Sequence, residues 1–64
     1  MYYVKFEGRD RKLYRNKNGK WVAAKAQAFG HKSKAPALNV ASQVHDLYMR
    51  SVKEPTGRFV VEEA

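Results

Sequence analysis

The chain has no cysteine, only two prolines and four glycines, and no apolar run longer than a few residues. Without cysteine there is no disulfide framework, no thiolate metal site and no cysteine nucleophile, so stability must come from packing or from a partner. Its apolar runs fall far short of the roughly 20 residues that span a bilayer, and no basic stretch followed by an apolar one opens it. No membrane partner is expected, and the protein is expected inside a cell, in the host cytoplasm if its source is viral. Acidic side chains are also scarce, six against 13 Lys and Arg. The catalytic repertoire is equally thin: two histidines, three serines and carboxylates at no recognisable spacing. Nucleophilic and acid-base chemistry need such groups placed together, so no enzyme activity, cofactor or metal site is expected.

With 64 residues, 44% of them apolar and 12% aromatic, the chain can form one domain. A domain of this size buries only roughly 60% of the surface that its unfolded chain exposes, which leaves one thin core and little room for a walled pocket.

The net charge of +7 is unevenly spread. Residues 1 to 34 hold ten basic and two acidic side chains, whereas residues 35 to 64 hold three basic and four acidic. The positive field is therefore local. Its densest part is Arg9, Arg11, Lys12, Arg15, Lys17 and Lys20, interrupted in sign only by Asp10. Such a field draws in polyanions and acidic protein surfaces alike, although a net charge of this size also serves plain solubility.

Tyr2 to Phe6 is rich in aromatic and β-branched residues and alternates Tyr2, Val4 and Phe6 onto one face, the pattern of a strand. Two further extended runs follow, about Arg11 to Arg15 and about Lys20 to Lys25. Asn16-Lys17-Asn18-Gly19 connects them as a hairpin. Asn18-Gly19 as a two-residue turn and a four-residue type I turn with Gly19 in a left-handed bulge remain alternatives. They place Trp21 on opposite faces. From Lys25 to Lys34 the pattern loosens around Ala26, Ala28 and Phe29. Ser33 then suits a helix N-cap and Pro36 a first turn. Ala37, Val40, Ala41, Val44, Leu47, Tyr48 and Val52 draw one apolar stripe at spacings of three and four, and Pro55 with Gly57 ends the helix. Arg58 to Glu62 alternates as a last strand. The expected fold is α+β: a small antiparallel sheet of three to four strands packed against one helix, in the order β-β-β-α-β. Trp21, Val4, Phe6, Val44, Leu47, Tyr48 and Phe59 are expected to meet in its core. Tyr2 to Phe6 or Arg58 to Glu62 should form a sheet edge, so the protein is a monomer or a homodimer.

The constellation with most chemistry is the hairpin, where Arg9, Arg11, Lys12, Arg15, Lys17 and Lys20 accompany Tyr14 and Trp21. Cations neutralise phosphates, aromatic faces stack on bases, and a two-stranded ribbon fits a DNA major groove. Trp21 is better explained as a core anchor, since so small a domain can hardly leave its only Trp outside. Tyr14 faces solvent if Leu13 takes the core face. A second anion-attracting group, His31, Lys32 and Lys34, surrounds Ser33 at the helix start, where capping alone accounts equally well for the serine.

Lys12-Leu13-Tyr14 through Gly19-Lys20-Trp21-Val22, followed by Phe29 and the alanine-rich segment Ala35 to Tyr48, resembles the three-strand-plus-helix layout of AP2-type and integrase arm-type DNA-binding modules. The resemblance implies a sheet laid in the major groove with Arg11, Arg15, Lys17 and Lys20 on the contact side. The same stretch is similar to short bacteriophage accessory proteins, several of which inhibit host machinery. The expected function is a non-enzymatic binding module that presents a basic hairpin to nucleic acid, DNA above RNA. The alternative is a small phage or mobile-element inhibitor whose basic surface binds an acidic surface of a host protein such as a nuclease or polymerase.

Overall fold

The computed structural model describes residues 1–63. Strand β1 runs Tyr2–Gly8, β2 Lys12–Arg15, β3 Trp21–Val22 and β4 Gly57–Glu63. One helix, α1, runs Lys34–Ser51 between β3 and β4, and a single 3-10 turn forms at Lys25–Gln27. The sheet is antiparallel throughout, in the order β3-β2-β1-β4, so the α+β layout is as expected. The first strand is central rather than an edge. It pairs with β4 along all seven residues, from Tyr2 opposite Glu63 to Gly8 opposite Gly57, and the edges are β3 and β4.

The hairpin register is fixed by Asn16. Its side-chain Oδ1 accepts from the amides of Asn18 at 3.0 Å and Lys20 at 2.8 Å, while its own amide donates to Lys20 O at 2.8 Å. Gly19 closes the turn at φ 79°, a conformation that costs glycine little. This is the longer of the two connections, and it pairs Arg15 with Trp21 and Tyr14 with Val22. Trp21 therefore faces the helix. The third run is shorter than expected, because after Val22 the chain leaves the sheet for the 3-10 turn. There Ala26 is exposed and Phe29, 46% exposed, packs only its edge on the His31 ring at 4.8 Å.

Alternation then sorts the strands into two faces. Tyr2, Val4, Phe6, Leu13, Trp21, Phe59 and Val61 face α1. Tyr3, Lys5, Glu7, Lys12, Tyr14, Val22, Arg58, Val60 and Glu62 form the opposite, open face, which α1 does not cover. The innermost core is small: Val4, Ala37 and Ala41, with Tyr2, Trp21, Val40, Val44 and Val61 packed around it. Alanine at 37 and 41 brings the helix backbone close to β1 and β4, which are the strands it contacts most. Beyond this core, Phe6, Trp21, Tyr48 and Phe59 form an aromatic cluster with centroid spacings of 5.0 to 5.5 Å. Leu47 does not join it and is 63% exposed. The helix seam is centred on Ala37, Ala41, Val44 and Tyr48, and at about 100° per residue Leu47 lies about a quarter-turn to one side.

Ser33 occupies the N-cap position in extended conformation, but its hydroxyl makes no capping bond. At the other end, the amide of Thr56 donates to the Tyr48 hydroxyl at 2.9 Å, which ties the connection into β4 to the last turn of the helix. No helix among the described residues is long and apolar enough to cross a membrane.

Candidate polyanion-binding surface

The expected contact residues lie along β2 and its two turns, and the fold distributes them in three directions. Arg9 and Arg11 are exposed in the β1–β2 turn, at one end of the strand. Lys17 and Lys20 are exposed in the hairpin turn at the other end. Lys12 and Tyr14 point from β2 onto the open face, where they pair with Glu7 and Lys5 of β1. Arg15 points the other way. It is half-buried on the helix side, with its guanidinium 5.6 Å from the centre of the Trp21 ring, so its expected place on the contact side with Arg11, Lys17 and Lys20 is not where the pleat puts it.

His31, Lys32 and Lys34 gather near the hairpin-turn end. His31 exchanges both backbone bonds with Tyr2, each 2.8 Å, and Tyr2 begins β1 where β2 ends. Lys32 and Lys34 are exposed beside it.

The open face holds a charge network that the sequence does not announce. Lys5 Nζ lies 3.2 Å from Glu7 Oε2 and 3.1 Å from Glu62 Oε1, Lys25 Nζ lies 2.7 Å from Glu62 Oε2, and Arg58 Nε lies 3.2 Å from Glu7 Oε1. The Tyr14 hydroxyl donates to Glu62 Oε2 at 3.3 Å. Hydrogen bonds from Lys25, then from Lys5, hold the Glu62 carboxyl down to about 2. The bond to Glu62 raises Lys5 in turn. Lys5 and Lys25 also lie 5.9 and 5.3 Å from the Tyr14 and Tyr3 ring centres, within cation–π range. Both carboxylates of this face are thus taken up by Lys5, Lys25 and Arg58. Among the described residues, Arg9, Arg11, Lys12, Lys17, Lys20, Lys32 and Lys34 form no ion pair.

On the helix side, sequence reasoning missed an apolar cleft of about 180 Å³ lined by Phe6, Leu13, Trp21, Tyr48 and Phe59. It arises because α1 sits over β1 and β4 and leaves β2 and β3 partly uncovered. Arg15 and Leu47 line an adjoining hollow that shares Trp21, Tyr48 and Phe59 with it, and Phe6 also lines a hollow with Arg9, Asp10, Arg11 and Thr56. The available signal was the aromatic excess over what a thin core can enclose. No group of His, Asp and Glu among the described residues is arranged to hold a metal ion.

No family model, no curated protein and no solved structure matches this chain.

Proposed function

We propose that this protein is a non-enzymatic binding module that presents the basic turns flanking β2 to nucleic acid, with DNA the favoured target. The observation that carries the proposal is the division of the charges. Glu7 and Glu62 on the open face are satisfied internally, while among the described residues seven exposed cations along β2, its turns and the helix start have no carboxylate partner. From Arg11 to Lys17 an extended chain covers roughly 20 Å, and duplex DNA carries one charge per about 1.7 Å of axis. A spread row of cations therefore suits a polyanion better than a compact acid. The layout resembled by residues 11 to 48, that of AP2-type and integrase arm-type modules, points to the same class of target.

The test is fluorescence anisotropy on a labelled DNA duplex over a range of salt, with the parent and a variant in which Arg11, Lys12, Lys17 and Lys20 are replaced by serine. All four are exposed, so the variant should keep its circular dichroism spectrum. Each phosphate neutralised contributes a slope of about −0.9 in log affinity against log salt, and the variant should lose most of that slope. A companion variant, Arg50→Ser with Lys53→Ser, should keep it. A folded quadruple variant that binds with the parent's affinity and slope overturns the proposal.

The apolar cleft favours a second reading: a small phage or mobile-element inhibitor that captures a host protein. Its occupant would be an acidic segment with apolar side chains, seated against Trp21 and Phe59 with carboxylates toward Arg15 at one rim and Arg9 and Arg11 beyond the other. Trp21 is the only tryptophan, so its emission reports on the cleft directly. A blue shift on adding a synthetic Leu- and Glu-rich peptide, with none on adding the duplex, would favour this reading.

A further inference from the structure

Strand β4 is an edge with seven residues, hydrogen-bonded on one side only. Long edge strands usually carry a proline, a bulge or a lysine that deters another strand from pairing there. This one carries no proline, bulge or lysine: its register with β1 is unbroken, its middle is Phe59-Val60-Val61, and its charges, Arg58, Glu62 and Glu63, lie toward its two ends. The opposite edge, β3, has two residues and offers little to pair with.

We infer that β4 pairs antiparallel with β4 of a second copy, about a two-fold axis that passes through Val60. An axis perpendicular to the sheet keeps both helices on one side. Directly opposed residues must then share a face, so the axis has to pass through a residue. The axis on Val60 sets Arg58 opposite Glu62 of the second copy, twice by symmetry, and Phe59 opposite Val61, also twice. An axis on Phe59 would set Arg58 against Val60 and Thr56 against Glu62. An axis on Val61 would set Val60 against Glu62 and Phe59 against Glu63. Only the Val60 register matches opposite charges on the open face and apolar pairs on the helix face, and such cross-strand pairs are what stabilise one register over another.

The side chains are free to make these contacts. Arg58 is 76% exposed and has one ion-pair contact, to Glu7. Glu62 already accepts from Lys5, Lys25 and Tyr14, and a carboxylate has about four acceptor positions, so a bond from Arg58 of the second copy is the last it can take. The net charge of +7 opposes association, but it is carried by residues 1 to 34, whereas residues 35 to 64, which include β4, hold three basic and four acidic side chains. Pairing through β4 joins the nearly neutral halves and keeps the basic turns outermost, in an eight-stranded sheet ordered β3-β2-β1-β4-β4-β1-β2-β3. The inference stands apart from the nucleic-acid proposal and survives its failure.

The absence of cysteine makes a cross-linking test clean. A residue on the axis faces its own copy with Cα atoms about 4.5 or 5.5 Å apart, within the span of a disulfide. Val60→Cys should therefore oxidise rapidly to a covalent dimer. Arg58→Cys, which faces Glu62 instead, should not. By sedimentation equilibrium in the micromolar range, the parent should weigh twice 7.4 kDa. Val60→Glu should be a folded monomer, because the new carboxylate lies opposite Lys5 within its own sheet but meets its own copy across the axis. A parent of 7.4 kDa at the highest concentration, a dimer that persists in Val60→Glu, or equal cross-linking at positions 58 and 60 would each overturn the inference.

Discussion

The ammonium group of Lys5 stands 3.1 Å from Glu62 Oε1 on the face of the sheet that α1 does not cover, yet Lys5 is only 7% exposed. Its alkyl stem lies among neighbouring strand side chains and its charge is matched from two sides, by Glu7 and Glu62. A layer of side chains here does part of the covering that a second helix does in larger domains. The two residues are not equivalent, however. Lys5→Met leaves Glu62 with Lys25 and Tyr14 and Glu7 with Arg58, and it is expected to be nearly neutral. Glu62→Ala leaves an almost buried ammonium with less compensation and should cost about 1–2 kcal/mol, less than a fully buried pair because Glu62 is partly solvated. Urea denaturation of both variants checks the asymmetry, and equal losses would show that the pair rather than the carboxylate matters.

The same network sets the pH response. Glu62 and Glu7 are lowered in the folded state, so their contribution is present above the unfolded carboxylate value of about 4.3 and is lost as pH falls toward about 2. Lys5 and Lys25 are raised, so their contribution is present below about 10.4 and is lost only as pH climbs through the raised values. The network's contribution should be flat from about pH 5 to 10, with an acid limb that Glu62→Gln reduces. Thermal midpoints measured from about pH 2 to 10 check it, and an acid limb unchanged in Glu62→Gln would show that the stability lost in acid comes from other groups.

Gly57 lies opposite Gly8 where β1 and β4 meet the loop ends. A Cβ on Gly57 would fall 2.5 Å from both the Glu7 carbonyl oxygen and Phe6 Cζ, and 2.8 Å from Gly8 Cα. The backbone of the Glu7–Gly8 peptide cannot step aside cheaply, so Gly57→Ala should destabilise by about 2–3 kcal/mol. Against a total of about 3–5 for so small a chain, this should leave much of the population unfolded at growth temperature. A calorimetric transition unchanged from the parent's would refute the close packing of these two glycines.

The helix face divides Val44 from Leu47. Val44→Asp places an unpaired carboxylate beside the Val4, Ala37 and Ala41 core and should abolish cooperative folding, whereas Leu47→Asp at an exposed position should change stability by less than about 0.5 kcal/mol. Circular dichroism melts separate the two outcomes. If both variants unfold, the rim of the cleft is packed more tightly than the exposure of Leu47 implies.

What could be read from the chain in advance was what depends on neighbours in sequence. The alternation of Tyr2, Val4 and Phe6 and the three-and-four spacing from Ala37 to Tyr48 each follow from local geometry, and each element formed there; the helix ends at Ser51, with Val52 already extended, ahead of the stop expected at Pro55 and Gly57. The face of Trp21 was undecided until the Asn16 side chain was seen to accept from two turn amides, a choice between turns that composition alone leaves equal. The central position of β1 was not legible, because its longer pairing is with residues 49 to 61 positions away. Leu47 was placed in the core because a helical stripe shows which residues share a side and not how wide a contact the sheet offers. The cations were legible as a cluster in sequence but not as three groups, since one step along β2 sends Tyr14 to the open face and Arg15 onto Trp21. The charge network of the open face was not legible, because Glu7 and Glu62 are 55 positions apart.

The pairing of β1 with β4 also governs the order of events during synthesis. Tyr2–Gly8 is made well before its seven-residue partner, so the central strand of the sheet must wait for Gly57–Glu63 before it has both neighbours. At about 5–20 residues per second, that interval lasts several seconds, far longer than the microseconds in which a hairpin or helix forms. During it, the hairpin of β2 and β3 and the helix are available while the Val4 and Phe6 face is incompletely covered. Folding should therefore be limited by a long-range closure rather than by local structure, and a nascent chain stopped before Gly57 should be protease-sensitive along β1 even though its helix residues are already in place.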